Sequence, residues 1–260
     1  MKSFNVGKPR ILIAIPAKDE EETIGCILEA LNNLYPNVTK LVIDDGSIDR
    51  TAEIAVINKA RVVSHGKNRG VAMAIQTARK FAIIEDYDIL VFVDADGQHD
   101  PRSVERILKP LIAGEADFVI GSRELGVYIG KENLLFKLGR KVCSVLVSII
   151  TGKRIYDATS GFKGWNRRVI EYLDMIFKHH KTLLHKGTVN DVEEILLCLM
   201  AGFKVLEVPV IMHARSHGRS KCYTPNELLK FLLHLIRAVV NILALRWPWY
   251  ICQHIAYLEG

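Results

Sequence analysis

The sequence predicts an α/β protein with a mostly parallel central sheet flanked by helices and, beyond it, C-terminal amphipathic helices. Three observations carry this expectation. Short apolar runs of strand length alternate with segments of helical periodicity through the first half of the chain, the pattern of strand–helix–strand crossovers. The run at 89–93 is apolar at every position, as a strand buried on both faces requires. Polar turns follow the strands, and in open α/β sheets ligands bind beyond the carboxyl ends of the strands.

The elements follow in order. Residues 10–16 form a first strand, after which Asp19 is expected to open a helix with Glu22 as its capping-box partner. Residues 41–43 form the second strand and end in Asp44-Asp45-Gly46-Ser47; a helix spans 51–59. A third strand at 61–64 leads into Gly66-Lys67-Asn68-Arg69-Gly70 and a helix to about 84. After the fourth strand, Asp100 and Pro101 mark a helix start. Residues 117–121 form a fifth strand. The second half brings an apolar-rich helix at 134–150, a polar loop at 157–162, a helix at 190–201 and a strand at 203–212. Pro209 in that strand favours a sheet edge. A basic loop at 215–221 precedes a helix from Thr224-Pro225-Asn226-Glu227 to about 245. That gives two expected parts, a domain over 1–224 and a C-terminal amphipathic helix with an aromatic tail over 225–260.

Composition narrows the class. Of 260 residues, 49% are hydrophobic and 25% charged, which excludes disordered and fibrous chains. Lys and Arg number 35 against 29 Asp and Glu, a net +6 that suits phosphate-bearing partners or an anionic membrane surface. The basic residues do not interleave with aromatics, so no nucleic-acid partner is expected. Five scattered cysteines without a CxxC pair read as reduced thiols, hence a cytoplasmic setting. No secretory signal or charge-free window of spanning length is present, so membrane contact, if made, is peripheral. His179, His180, His185, His213 and His217 fit no tight metal motif and read as loop or surface residues.

Asp94-Ala95-Asp96-Gly97-Gln98 carries the sharpest chemical signal. If the segment is extended, Asp94 and Asp96 point the same way and Gln98 adds an oxygen on that side. Such a set suits Mg²⁺ or Mn²⁺, which would offset charge on a departing diphosphate. Capping explains Asp100 better. The Asp44-Asp45 pair is either a strand-to-helix turn or a hydrogen-bonding contact to a base or ribose. Lys67 sits in a glycine-bounded turn that could meet phosphate. Asp191 and Glu193 are either general-base candidates for a hydroxyl acceptor or acids at a helix N-terminus.

In order along the chain, the segments Ile13-Ala14-Ile15-Pro16-Ala17-Lys18-Asp19-Glu20, Asp44-Asp45-Gly46-Ser47-Ile48-Asp49, Asp94-Ala95-Asp96-Gly97-Gln98 and Gly121-Ser122-Arg123 resemble the motif series of glycosyltransferase family 2. Asp157-Ala158-Thr159-Ser160-Gly161-Phe162, Asp191-Val192-Glu193, Glu207-Val208-Pro209-Val210, Arg215 and Gly218-Arg219-Ser220-Lys221 are similar to its dolichol-phosphate mannose synthase-like branch, which includes polyprenyl-phosphate glucosyltransferases. The resemblance spans about residues 9–221. It implies a GT-A fold, a nucleotide-sugar donor, Mg²⁺ or Mn²⁺, and inversion at the anomeric carbon. By position it places Pro16, Ala17, Lys18, Glu20 and Asp45 at the nucleotide, with Asp94 and Ala95; Lys67 joins the nucleotide-binding set from its own place after the third strand. It gives the metal to Asp94, Asp96 and Gln98, and puts Arg123 at sugar or phosphate. Arg140 and Ser144 match an acceptor-phosphate pair, and Arg215, Arg219 and Ser220 a basic loop closing over the donor. Lys18 departs from the aromatic residue common in the first motif.

The expected reaction is transfer of a hexose from a GDP-mannose or UDP-glucose type donor to a polyprenyl or dolichyl phosphate at the cytoplasmic face of a membrane. Lys230, His234, Arg237 and Asn241 form a narrow polar stripe on the last helix, and Arg246, Trp247, Trp249 and Tyr250 suit a headgroup zone. Members of this branch often add spanning helices that this sequence does not show. Two other readings keep the fold: a soluble sugar or glycan hydroxyl as acceptor, and a nucleotide-sugar binding module without catalysis.

Overall fold

A computed structural model describes residues 8–131, 134–180 and 187–214, together with residues 236, 239 and 240. Side-chain alternation on the first strand, β1 (Ile11–Ala17), divides the core: Leu12 and Ala14 enter one apolar layer, Ile13 and Ile15 the other. The elements that follow are α1 (Ile24–Leu34), β2 (Thr39–Asp44), α2 (Thr51–Ile57), β3 (Arg61–Ser64), α3 (Val71–Ile84), β4 (Ile89–Phe92), α4 (Val104–Ile112) and β5 (Phe118–Ile129). After these come α5 (Leu134–Thr151), β6 (Lys163–Asn166), α6 (Arg167–His179), α7 (Gly187–Met200) and β7 (Val205–His213).

Among the described residues the strands form one seven-stranded sheet in the order β3-β2-β1-β4-β6-β5-β7. The β3-β2-β1-β4 half is parallel, and so is the β5-β7 pair. Helices α3, α5, α6 and α7 contribute to one core layer; α1, α2 and α4 contribute to the other. The expected mostly parallel sheet with flanking helices is thus present, and β7, which carries Pro209, lies at its edge.

Four readings of the sequence need correction. Asp19 does not open α1: the helix begins at Ile24, and Asp19 sits at φ +55° with its carboxylate accepting the N–H of Ile48. The capping box loses because the loop after β2 competes for Asp19. A short strand, β6, enters between β4 and β5 and runs antiparallel to both. With only Lys163, Gly164, Trp165 and Asn166, it offered no apolar run to read. Helix α6 follows it directly, its first turn capped by the Asn166 side chain accepting from the Val169 N–H. β5 extends well past residue 121, because an irregularity between Ser122 and Val127 lets the strand resume its pairing with β7. His213 is likewise not a loop residue: it ends β7, half-buried, with Nε2 3.4 Å from Asp100 Oδ2.

The expected C-terminal helix and tail over 225–260 fall almost wholly outside the described residues. No helix among the described residues is long and apolar enough to cross a membrane.

Candidate active site

The loops leaving β1, β2 and β3 are tied to one another. The Asp45 N–H donates to the Ala17 carbonyl (2.9 Å). The Asp19 N–H donates to Ser47 Oγ (3.0 Å), the Glu21 N–H to Asp49 Oδ2 (3.0 Å) and the Arg50 N–H to Glu21 Oε2 (3.1 Å). Gly46 lies at φ +74°, and a Cβ there would stand 2.5 Å from the Lys67 carbonyl carbon, so only glycine lets the third loop close on the second. Asp45 is buried. Its carboxylate accepts the N–H groups of Arg69 (2.8 Å) and Gly70 (2.7 Å) and lies 2.7 Å from His65 Nδ1. These bonds gather Pro16 and Ala17, at the end of β1, with Lys18, Glu20, Asp45 and Lys67 on the adjoining loops. In this arrangement the Asp45 carboxylate orders the 65–70 loop. His65, whose Nε2 is 2.8 Å from Thr77 Oγ1, was not singled out in the sequence.

Next to this platform, β4 delivers the acidic motif. The chain does not stay extended there, as the reading of Asp94, Asp96 and Gln98 on one side had assumed. It turns at residues 95–97, with Gly97 at φ +79°, and Asp96 Oδ1 accepts the Gln98 N–H (3.0 Å). Asp94 and Gln98 both line a cavity of about 230 Å³; Asp96 lies in the turn between them, half-buried. Ala95 is buried, and its carbonyl accepts from Thr23 Oγ1 (2.6 Å) at the start of α1.

The rest of the cavity wall comes from strands and helices far apart in sequence. Val71, Ile75 and Phe92 supply apolar surface, while His99, Arg123, Thr159, Lys163 and Asp191 supply polar groups. Asp157, fully buried, accepts from Arg123 Nε (2.7 Å), Nη2 (3.0 Å) and the Arg123 N–H (3.0 Å). The guanidinium is therefore held in a two-point pair, the arrangement that fixes both its plane and its direction. Glu207 on β7 accepts the N–H groups of Tyr156 (2.7 Å) and Asp157 (2.8 Å), and burial pushes its own pKa up.

Arg140 and Ser144 reach the same neighbourhood from α5. Arg140 Nη2 donates to Glu124 Oε1 (3.2 Å), beside Arg123, and Ser144 Oγ accepts the Ala158 N–H (3.0 Å), beside Asp157. Arg140, Ser144 and Glu193 are not among the cavity-lining residues; Glu193 is buried in α7. Arg215, Arg219 and Ser220 lie outside the described residues.

Lys163, Arg79 and Glu194 carry chemistry that the sequence reading missed. Lys163 Nζ pairs with Asp191 and lies 2.7 Å from Glu194 Oε2; Arg79 pairs with Glu194 from the other side. Arg79, Lys163 and Glu194 are almost fully buried, and Asp191 is one-fifth exposed. Burial raises the Asp191 pKa to about 6 against the lowering pull of Lys163, with Glu194 and Asp94 adding to the rise. Arg79 and Lys163 hold Glu194 below its ordinary value despite its burial. The signal available was a lysine set between two aromatic residues, Phe162 and Trp165, since a lysine buried there needs anionic partners.

The residues at β4 suit a hard divalent cation. Two carboxylates and an amide are oxygen donors only, and no described cluster of three or more His, Cys, Asp or Glu forms an all-protein cage. A magnesium-type ion commonly takes one or two carboxylates and completes its shell with water and substrate phosphates.

The parallel strand ends, clasped loops and acidic turn define the class of GT-A sugar transferases. Among solved structures, glucosyl-3-phosphoglycerate synthase from Mycobacterium tuberculosis, crystallised with Mn²⁺, UDP and glucosyl-3-phosphoglycerate, shares this fold with a TM-score of 0.66 at 20% identity, over 90% of this chain and 80% of that one. The family described as Glycosyl transferase family 2 matches residues 12–173. Polyprenol monophosphomannose synthase of Mycolicibacterium smegmatis is 31% identical over 219 residues, 82% of this chain and 80% of its own. Undecaprenyl-phosphate mannosyltransferase of Micrococcus luteus is 28% identical over 221 residues, 82% of this chain and 87% of its own. The chain belongs to glycosyl transferase family 2 and is a glycosyltransferase of the dolichol-phosphate mannose synthase-like branch.

The Arg123–Asp157 pair gives a first prediction. Asp157→Asn keeps the volume and removes the charge that aligns the guanidinium, so the unfolding free energy should drop by about 1.5–3 kcal/mol in urea titrations. A variant as stable as the parent protein would contradict the strength assigned to the pair.

Proposed function

We propose that this glycosyltransferase moves a hexose from a GDP-mannose or UDP-glucose type donor to a polyprenyl or dolichyl phosphate, by metal-assisted single displacement with inversion. The observation that carries this reading is the two-sided character of α5. Its outer face exposes Leu134, Leu138, Val142, Val145 and Ile149, spaced by three or four residues, with Lys137 and Lys141 exposed beside them. Its inner face carries Arg140 and Ser144 to the residues flanking the Arg123–Asp157 pair. One helix thus offers an apolar, cationic surface to an anionic membrane and a cation to the side of the cavity. The names of the relatives, a polyprenol monophosphomannose synthase and an undecaprenyl-phosphate mannosyltransferase, support the same acceptor.

The chemistry follows from the charges. A lipid phosphate has a second pKa of about 6 and is largely dianionic at neutral pH, so its oxygen attacks the anomeric carbon without a strong base. The protein's task is to hold two anions in line and to accept the charge that leaves with the nucleoside diphosphate. Loops 17–20, 45–50 and 65–70 hold the nucleoside. Arg123, fixed by Asp157, meets phosphate or sugar, and Arg140 and Ser144 meet the acceptor phosphate. Asp94, Asp96 and Gln98 hold Mg²⁺ or Mn²⁺, which when bound offsets negative charge on the diphosphate.

A soluble hydroxyl acceptor is the second reading, and Asp191 favours it. A carboxylate with a pKa of about 6 in a cavity wall is suited to act as a base near neutrality.

Three measurements test these assignments. Asp96→Ala should lower glycolipid formation about 10²-fold or more, as loss of a charge-stabilising group does, and EDTA should abolish the reaction until Mn²⁺ is restored. Near-normal turnover of this variant with Mn²⁺ present would remove the metal role. Asp191→Asn separates the acceptors: with polyprenyl phosphate the rate should stay within about tenfold, whereas loss of a general base costs about 10²–10⁴-fold. For the membrane face, Leu138→Glu with Val145→Glu should weaken sedimentation with anionic vesicles by about tenfold or more, given that each buried aliphatic side chain contributes about 1.5–3 kcal/mol. Unchanged vesicle binding would free α5 from that role.

A further inference from the structure

We propose that His99 is a positioning residue that orients the Asp94 carboxylate for the divalent cation. The inference rests on the reading of Asp94 as a cation ligand and extends it to a residue outside the acidic motif. His99 is buried, and its ring touches Asp94 at two points. Nδ1 accepts the Asp94 backbone N–H at 3.0 Å, and Nε2 stands 3.4 Å from Asp94 Oδ2. Because Nδ1 is an acceptor, the neutral ring carries its proton on Nε2, the atom that faces the carboxylate.

The imidazole is itself held. It stacks on Phe162 with ring centroids 4.5 Å apart and planes 11° from parallel. The Phe162 carbonyl accepts the Gly121 N–H at 2.7 Å, which fixes that ring to β5. On the other side His99 forms a bridge with Met212, and the neighbouring Gln98 carbonyl accepts the His213 N–H at 2.8 Å, which fixes the backbone to β7. An aspartate at a strand end has several rotamers, and a cation that needs one of them must order it on binding. A ring locked between β5 and β7 does that ordering in advance. Groups that orient a metal ligand in this way commonly account for 10–100-fold in metal affinity.

The test is a Mn²⁺ titration of the full-length protein followed by the free-Mn²⁺ EPR signal, in parallel series with saturating GDP and UDP. Apo-protein melting temperatures are measured beside it. His99→Leu keeps the bulk against Phe162 and loses both contacts. His99→Asn keeps an acceptor near the Asp94 N–H, and His99→Gln keeps a donor near Oδ2. Asp94→Asn is the control for the metal reading. His99→Leu should raise the Mn²⁺ dissociation constant by about 10–100-fold, with Asn and Gln in between, beyond any change that tracks the melting temperature. If Asp94→Asn weakens Mn²⁺ binding while all the folded His99 variants bind as the parent protein does, the positioning role is wrong. If Asp94→Asn itself leaves Mn²⁺ binding unchanged, the metal reading fails and the inference falls with it. Should the Leu variant not fold, Asn and Gln decide, and parental affinity in both overturns the proposal.

Discussion

Asp157 is fully buried and its carboxylate takes three hydrogen bonds from Arg123, so an ion pair is built into the interior beside the cavity. A carboxylate so far from water survives only with its charge matched and its oxygens satisfied. The segment that carries it is fastened from every side. Glu207 of β7 takes the N–H groups at 156 and 157, and Ser144 of α5 takes that of Ala158. Ser160 Oγ donates to the Gly121 carbonyl at 2.6 Å, and Phe162 stacks on His99. Residues 155–162 therefore join the strand that bears Arg123, the helix that bears Arg140 and the loop that bears Asp94. Loosening the segment would disturb all three together.

The same logic governs the second ion cluster. β6 runs antiparallel between β4 and β5 and brings Lys163 to the cavity wall at almost zero exposure. Lys163 and Arg79 place two cations against Glu194 and Asp191, and both lie over the Trp165 ring, 5.4 and 5.2 Å from its centroid respectively. Such clusters contribute little net stability against an apolar alternative, because desolvation offsets the attraction. What this one does is hold a carboxylate, Asp191, at a fixed place in the wall with a pKa lifted by burial. The loops after β1, β2 and β3, by contrast, are ordered mainly by neutral backbone donors on Asp19, Asp45, Asp49 and Glu21. That is a scaffold whose shape does not hinge on one buried charge pair.

The parallel half of the sheet was legible because apolar runs and strand-end turns are local signals. Pro209 announced an edge strand for the same reason. Where the sequence misled, a long-range partner had won in most cases, and a local turn in one. Asp19 carries a capping signature, yet its carboxylate serves Ile48 across the gap between two loops. Asp94 and Asp96 were identified as a pair, but the geometry assumed for them was extended, and Gly97 and the Asp96–Gln98 bond bend it into a turn. Lys163, Glu194, Arg79 and His99 were missed because each owes its position to residues 28 to 115 places away or to a ring stacked from the segment just before β6. No window of local sequence holds both halves of such a contact. Arg123 was found by its place after a strand; what aims it, Asp157, was in view as part of a motif but had no assigned task.

If the site joins a nucleotide-sugar to a lipid phosphate, its product is a lipid-linked sugar. The most direct measurement incubates the protein and Mn²⁺ with GDP-mannose, UDP-glucose or UDP-GlcNAc, each with and without a short polyprenyl phosphate, and reads the products by mass spectrometry. A polyprenyl phosphohexose should form with at least one donor, and only when the lipid phosphate is present. Donor turnover that yields no glycolipid, with transfer to a soluble glycan hydroxyl instead, would contradict it.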